Sequence, residues 1–140
     1  NGPGYFTGIR VGAAYASGLA YACGKKIIPV STLEMLAYGN PGKKILTLIY
    51  AGHGFVYAEA KNFLEPGEYS HGFIREWLEK NSDFEIISDD PERLELNGLK
   101  ISHVKPDLIS LCKIAKNNLQ CAVNPMELKI LYYRAPQGMQ

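Results

Sequence analysis

Cysteine is scarce in this chain of 140 residues, and so are tryptophan and any long run of one charge. The three cysteines, Cys23, Cys112 and Cys121, are an odd set with no Cys-x-x-Cys pair. That argues against a disulfide framework or a zinc site and suits a reducing cytosol. Lysine and arginine number 15 against 14 aspartates and glutamates, and no more than two basic residues adjoin. A protein that grips RNA alone draws its affinity from a basic face, so the balance argues against stand-alone nucleic-acid binding. The longest uncharged apolar stretch of the first expected helix runs from Val11 to Cys23. It is shorter than the roughly 20 residues that span a bilayer, so no membrane segment is expected, and no signal peptide is visible. The chain also lacks an initial Met and opens on a turn, Asn1-Gly2-Pro3-Gly4, with no element ahead of it. We expect an amino-terminal portion to be missing.

What is present suits a packed core: 46% of residues are hydrophobic, with 14 glycines and 8 prolines to make turns. A helix is expected from Phe6 to Cys23, with Gly24 closing it. Small residues recur every four positions in Gly4, Gly8, Gly12, Ala16 and Ala20, a stripe that lets another backbone approach closely. Glycine inside a helix costs up to about 1 kcal/mol relative to alanine, so Gly8, Gly12 and Gly18 make this helix dependent on packing or a partner. Ile27 to Val30 reads as a short buried strand. Ser31 and Glu34 have the spacing of a capping box, with Val30 and Met35 as its hydrophobic staple, for a helix over Thr32 to Tyr38. Gly39-Asn40-Pro41-Gly42 is a strong breaker and marks the expected boundary between residues 1–43 and 44–140.

Beyond it, Ile45 to Ala51 and Phe55 to Phe63 read as strands joined by a turn at Ala51-Gly52-His53-Gly54. Ser70 to Lys80 reads as a helix with Phe73, Ile74, Trp77 and Leu78 on one face and a Glu76–Lys80 pair. Phe84 to Ser88 is a short strand. Asp89 to Lys100 is ambiguous, with a strand through Leu99 to Ile101. Pro106 is placed at the first position of a helix whose apolar stripe is Leu108, Leu111, Cys112, Ala115 and Leu119. Leu128 to Tyr133 is expected to be extended, with Pro136 closing it. The alternation of strands and helices indicates an α/β or α+β class.

The run Gly2-Pro3-Gly4-Tyr5-Phe6-Thr7-Gly8-Ile9-Arg10-Val11-Gly12 resembles the GPGSFTGLRVG signature of the TsaB (YeaZ) family. The resemblance continues through Ala16-Ser17-Gly18-Leu19-Ala20, Val30-Ser31-Thr32-Leu33-Glu34, Gly54-Phe55-Val56-Tyr57-Ala58 and Leu131-Tyr132-Tyr133-Arg134-Ala135-Pro136. The stretch from Leu64 to Val123 carries little signature. The family departs from this chain at two places: its Asp-Ala-Arg turn stands here as Tyr50-Ala51-Gly52, and Tyr5 replaces a serine.

The resemblance implies the two-lobed fold of the actin/Hsp70/sugar-kinase (ASKHA) superfamily, with the first lobe incomplete. It implies a cytoplasmic, non-catalytic scaffold and activator that uses no cofactor. Its partners would be TsaD, the catalytic paralogue, and TsaE, an ATPase, in a complex that attaches threonylcarbamoyl to the adenosine 3′ of the anticodon in certain tRNAs. Contact with tRNA would come only through the complex, and a homodimer is a further expectation. The alternative is a TsaD-like or glycoprotease-like enzyme of the same superfamily, dependent on a metal or a nucleotide.

Candidate sites divide along the same line. Arg10, Ala13, Ala14, Ser17 and Tyr21 fall on one helix face and are the expected partner interface; the plainer reading is packing on an absent first helix. Gly2, Gly4, Thr7 and Gly8 precede a helix start, where free N–H groups and the dipole favour anions. No lysine follows as in a P-loop, and Pro3 removes a donor, so the plainer reading is a tight turn. His53, His71 and His103 are never four apart, so no metal site and no catalytic residue is expected. Cys23 and Ser31 lack a neighbouring base, and Ser31 is expected to cap a helix. Trp77, Phe73, Tyr132 and Tyr133 are expected to pack rather than to stack on a ligand.

Overall fold

The computed structural model describes residues 1–40 and 42–133. Pro41 of the expected breaker, and Arg134 to Pro136 of the closing segment, lie outside the described residues. The chain forms a mixed α/β structure around one five-stranded sheet. Helix α1 (Phe6–Ala22) and helix α2 (Thr32–Ala37) come first. Strands β1 (Ile45–Gly52), β2 (Phe55–Ala60) and β3 (Leu64–Ser70) then run antiparallel as a meander. Helix α3 (His71–Lys80) leads to β4 (Glu85–Ser88), a 3-10 turn (Pro91–Leu94), β5 (Ile101–His103) and helix α4 (Leu108–Asn117). The sheet order is β3-β2-β1-β4-β5, with β4 parallel to β1 and β5 parallel to β4.

Strand β1 sits at the centre and is buried from both sides, which explains its unbroken apolar run. Its side chains alternate between two cores, as the pleat requires. Leu46 and Leu48 join Val56, Ala58, Ile86 and Ile74 of α3 on one face. Ile45 and Ile49 join Ile87 and Leu33 and Leu36 of α2 on the other. Helix α4 packs behind α2 through Ile114. The turn into β2 puts Gly52, His53 and Gly54 all at positive φ, and the ladder register shifts there. At φ 84° position 52 favours glycine.

Several local expectations gave way to tertiary context. The Ile27–Val30 strand reduces to one bridge, Ile27 with Val123, outside the sheet; Pro29 has no N–H to offer a ladder. The Ser31–Glu34 capping box does not form. The Ser31 hydroxyl is buried without a partner, and the N–H of Thr32 donates to the carbonyl of Gly2 at 2.8 Å. Strand β2 ends at Ala60, and the unexpected β3 follows, pairing with β2 along its length. Pro66 and Gly67 read as a turn in sequence, yet an edge strand tolerates a proline whose missing N–H faces outward. The strand expected over Leu99 to Ile101 lies at Ile101–His103.

Helix α4 is capped by Asp107, one residue after the proline assigned to its first position. The Asp107 carboxylate accepts from the N–H groups of Ile109 and Ser110 at 3.1 and 2.8 Å. Its buried residue is Ile114, while Leu108, Cys112 and Leu119 of the expected stripe are exposed. Elsewhere the local signals hold. Ser70 caps α3, accepting from the N–H of Phe73 at 3.2 Å, and Glu76 pairs with Lys80 at 2.9 Å. Gly24 closes α1 at φ 61°, donating to Tyr21, while Lys25 donates to Ala20, the two bonds of a Schellman motif. The expected aromatic packing is present too. Trp77 meets Phe84 at 4.8 Å, Phe73 stacks on Tyr69, Tyr132 lies on Phe6 and Tyr133 on Tyr57.

Candidate partner-binding surface

Helix α1 stands apart from the sheet. None of its 17 residues is buried, and its packing partner is the 3-10 turn Pro125–Glu127. Ile9, Ala13, Ala16, Ser17 and Ala20 are half-buried and form the side turned to the body. The opposite side carries large apolar groups in water: Val11 is 64% exposed, Tyr15 75% and Leu19 56%. The only charged residue of the helix is Arg10, whose guanidinium lies 5.2 Å over the Phe6 ring. Contiguous exposed apolar surface of this kind marks sites of association.

The five residues expected at an interface therefore divide. Arg10, Ala14 and Tyr21 are exposed, and Tyr21 is 71% so. Ala13 and Ser17 are half-buried and turn towards the body. The exposed face is centred about a quarter turn away, on Val11, Tyr15 and Gly18. The exposed apolar positions Val11, Tyr15 and Leu19 stand four apart, a spacing that puts them on one side of the helix. Gly8, Gly12 and Gly18 have open space where a Cβ would stand, so no segment of the described chain uses their closeness.

The opening turn is held by backbone geometry. Gly2 sits at φ 104°, and a Cβ there would come within 3.0 Å of the Leu131 carbonyl oxygen. The Gly2 carbonyl accepts from Thr32, the Asn1 carbonyl accepts from Leu131 at 2.9 Å, and Pro3 is fully buried. The requirement for glycine at position 2 thus has a structural cause. Gly2 and Gly4 line one side of a cleft of about 640 Å³, with Gly8 beside them. Thr7 lies on the exposed side of α1 and does not line it.

The cleft's other wall carries Tyr50 near the end of β1 and, beyond the carboxyl end of the parallel strand β4, Asp89, Asp90 and Arg93. In open α/β sheets that is the common place for a ligand. Burial holds the Asp89 carboxyl above its ordinary value, and the charge of Asp90 adds to this, against backbone hydrogen bonds and His103. Arg93 stacks on Tyr50 at 4.5 Å and approaches Asp90 at 3.9 Å. Two carboxylates thus share the cleft with the glycine turn, and a phosphate there would meet their repulsion.

A second cleft, about 1090 Å³, lies between α2, the sheet and α4 and is lined by Glu34, Glu59, Lys61 and Tyr133 among others. Burial raises the Glu59 carboxyl, with Glu34 adding to it and Lys61 opposing. The three histidines fall in separate places: His53 in the β1–β2 turn, His71 opening α3, and His103 ending β5. Among the described residues, no three His, Cys, Asp or Glu side chains gather as a metal set. Cys23, Cys112 and Cys121 are all free and exposed. Among the described residues, no helix is long and apolar enough to cross a membrane.

Comparison with known proteins gives three findings. The family model described as "TsaD: tRNA N6-adenosine threonylcarbamoyltransferase" matches residues 1–110. Two curated proteins named tRNA threonylcarbamoyladenosine biosynthesis protein TsaB are similar in part. The one from Haemophilus influenzae is 53% identical over 36 residues, covering 26% of this chain and 15% of that protein. The one from Escherichia coli K12 is 43% identical over 60 residues, covering 40% of this chain and 26% of that protein. This chain therefore matches about a quarter or less of the length of either relative. Among solved structures, a Pseudomonas aeruginosa protein described as similar to peptidase YeaZ superposes with a TM-score of 0.67 at 23% identity, over 95% of this chain and 70% of that one. YeaZ from Pseudomonas aeruginosa superposes with a TM-score of 0.63 at 22% identity, over 94% and 70%. At these identities the superpositions establish the fold.

Proposed function

The chain belongs to the TsaD family, tRNA N6-adenosine threonylcarbamoyltransferase, and within it to the TsaB/YeaZ proteins; on that premise we propose that it is a scaffold subunit in the synthesis of threonylcarbamoyladenosine on tRNA. It supplies no catalytic group. It docks a TsaD-type paralogue through α1 and holds that enzyme in its active arrangement, with a TsaE-type ATPase joining the assembly. Transfer RNA is met only through the complex, in the cytoplasm. The sheet is proposed as the carboxy-terminal lobe of an actin-like two-lobed architecture, with residues 1–43 belonging to the other lobe.

The observation that carries the reading is α1 itself: an apolar helix with one charge, no buried residue, and Val11, Tyr15, Leu19 and Tyr21 each more than half exposed. Burying such groups is worth about 25 cal/mol per Å² of apolar surface, and aromatic residues at the centre of an interface contribute most. Tyr15 and Val11 are the anchors of the docking surface, with Arg10 and Tyr21 at its rim. The near-neutral charge of the whole chain fits a protein that leaves tRNA to its partner.

The test is reconstitution of tRNA modification from purified components, with and without this protein. Modification should fall to background when it is omitted; equal modification in its absence would end the proposal.

A second reading follows from the matched family's own description as a threonylcarbamoyltransferase. On that reading the cleft between Gly2–Gly4 and Asp89–Arg93 would hold substrate. It predicts transfer activity from this protein in the absence of any TsaD-type partner, and stoichiometric metal by elemental analysis.

A further inference from the structure

We draw no further inference here: the strongest candidate, the water-facing apolar side of α1 around Val11, Tyr15 and Leu19, belongs to the docking surface already proposed, and nothing else in the structure shows what covers it.

Discussion

Strand β1 and helix α1 are both apolar, and they meet water in opposite ways. In β1, Leu46 and Leu48 are fully buried in the core beneath α3, and Ile45 and Ile49 are buried on the other face against α2. In α1 a comparable apolar content is left open, because only one side of the helix rests on the body. The same composition serves internal cohesion in one element and is free for association in the other. The contrast turns on neighbours: a strand inside a five-stranded sheet has covered faces, while a helix held mainly by a 3-10 turn does not.

The sharpest way to break the comparison is to attack each side separately. Leu48→Ala removes a fully buried side chain from the central strand and leaves a cavity. It should destabilise the fold by about 2–5 kcal/mol, read as a lower denaturant midpoint at unchanged slope. A loss under about 1 kcal/mol would mean that β1 is not the centre of the core.

Ala14→Glu attacks the other side. It places a charge on the exposed flank of α1 and should weaken pairing with a TsaD-type protein by more than about a hundredfold, roughly 3 kcal/mol, the scale of an uncompensated buried charge. Its melting temperature should stay that of the parent. Ala13→Glu should lower both affinity and melting temperature, since Ala13 is half-buried against the body. Pairing of Ala14→Glu at parental affinity, measured by calorimetry, would remove α1 from the interface.

A smaller effect should appear in pH dependence. Burial and Glu34 hold the Glu59 carboxyl above its ordinary 4.5 in the folded state. The folded protein then binds the proton more tightly than the unfolded chain. This contribution to stability is present at low pH and is lost as pH rises from 4.5 through the raised folded value. Glu59→Gln should flatten that part of the stability profile and leave the protein slightly more stable at neutral pH. An unchanged slope in chemical denaturation across about pH 4–7 would show that the carboxyl is solvated. Asp89 is raised in the same direction and should leave a residual slope in the variant.

The smallest change expected is Lys80→Ala, which deletes the exposed pair with Glu76. Pairs of this kind contribute about 0.3–0.5 kcal/mol. A larger loss on thermal denaturation would mean that the end of α3 packs more tightly than its exposure suggests.

Legibility differed across the chain for identifiable reasons. Helix α1 and its Gly24 terminus were readable because a Schellman cap depends on one residue that tolerates positive φ. The central strand was readable because an apolar β-prone run bounded by glycines has few alternatives. The β3 strand was hidden because its Pro66 and Gly67 are acceptable only at a sheet edge, and edge position is settled by pairing. The Ser31 spacing gives no box: its hydroxyl is buried without a partner, in a helix start that is also tied to the Gly2 carbonyl through the Thr32 N–H, a contact between residues far apart in the chain. On α1, the sequence showed a helix but not which of its sides faces the body, because helical spacing groups residues into faces without saying what lies across from each.

Taken alone, the sequence determined the family, through the glycine-rich opening signature, and most of the elements, through local periodicity and capping chemistry. The tertiary structure decided which apolar residues are core and which are surface. Burial depends on what lies across from a side chain, and that partner is supplied by distant parts of the chain. For α1 the described chain supplies a partner on one side only, and that is why Tyr15 meets water while Leu48 does not.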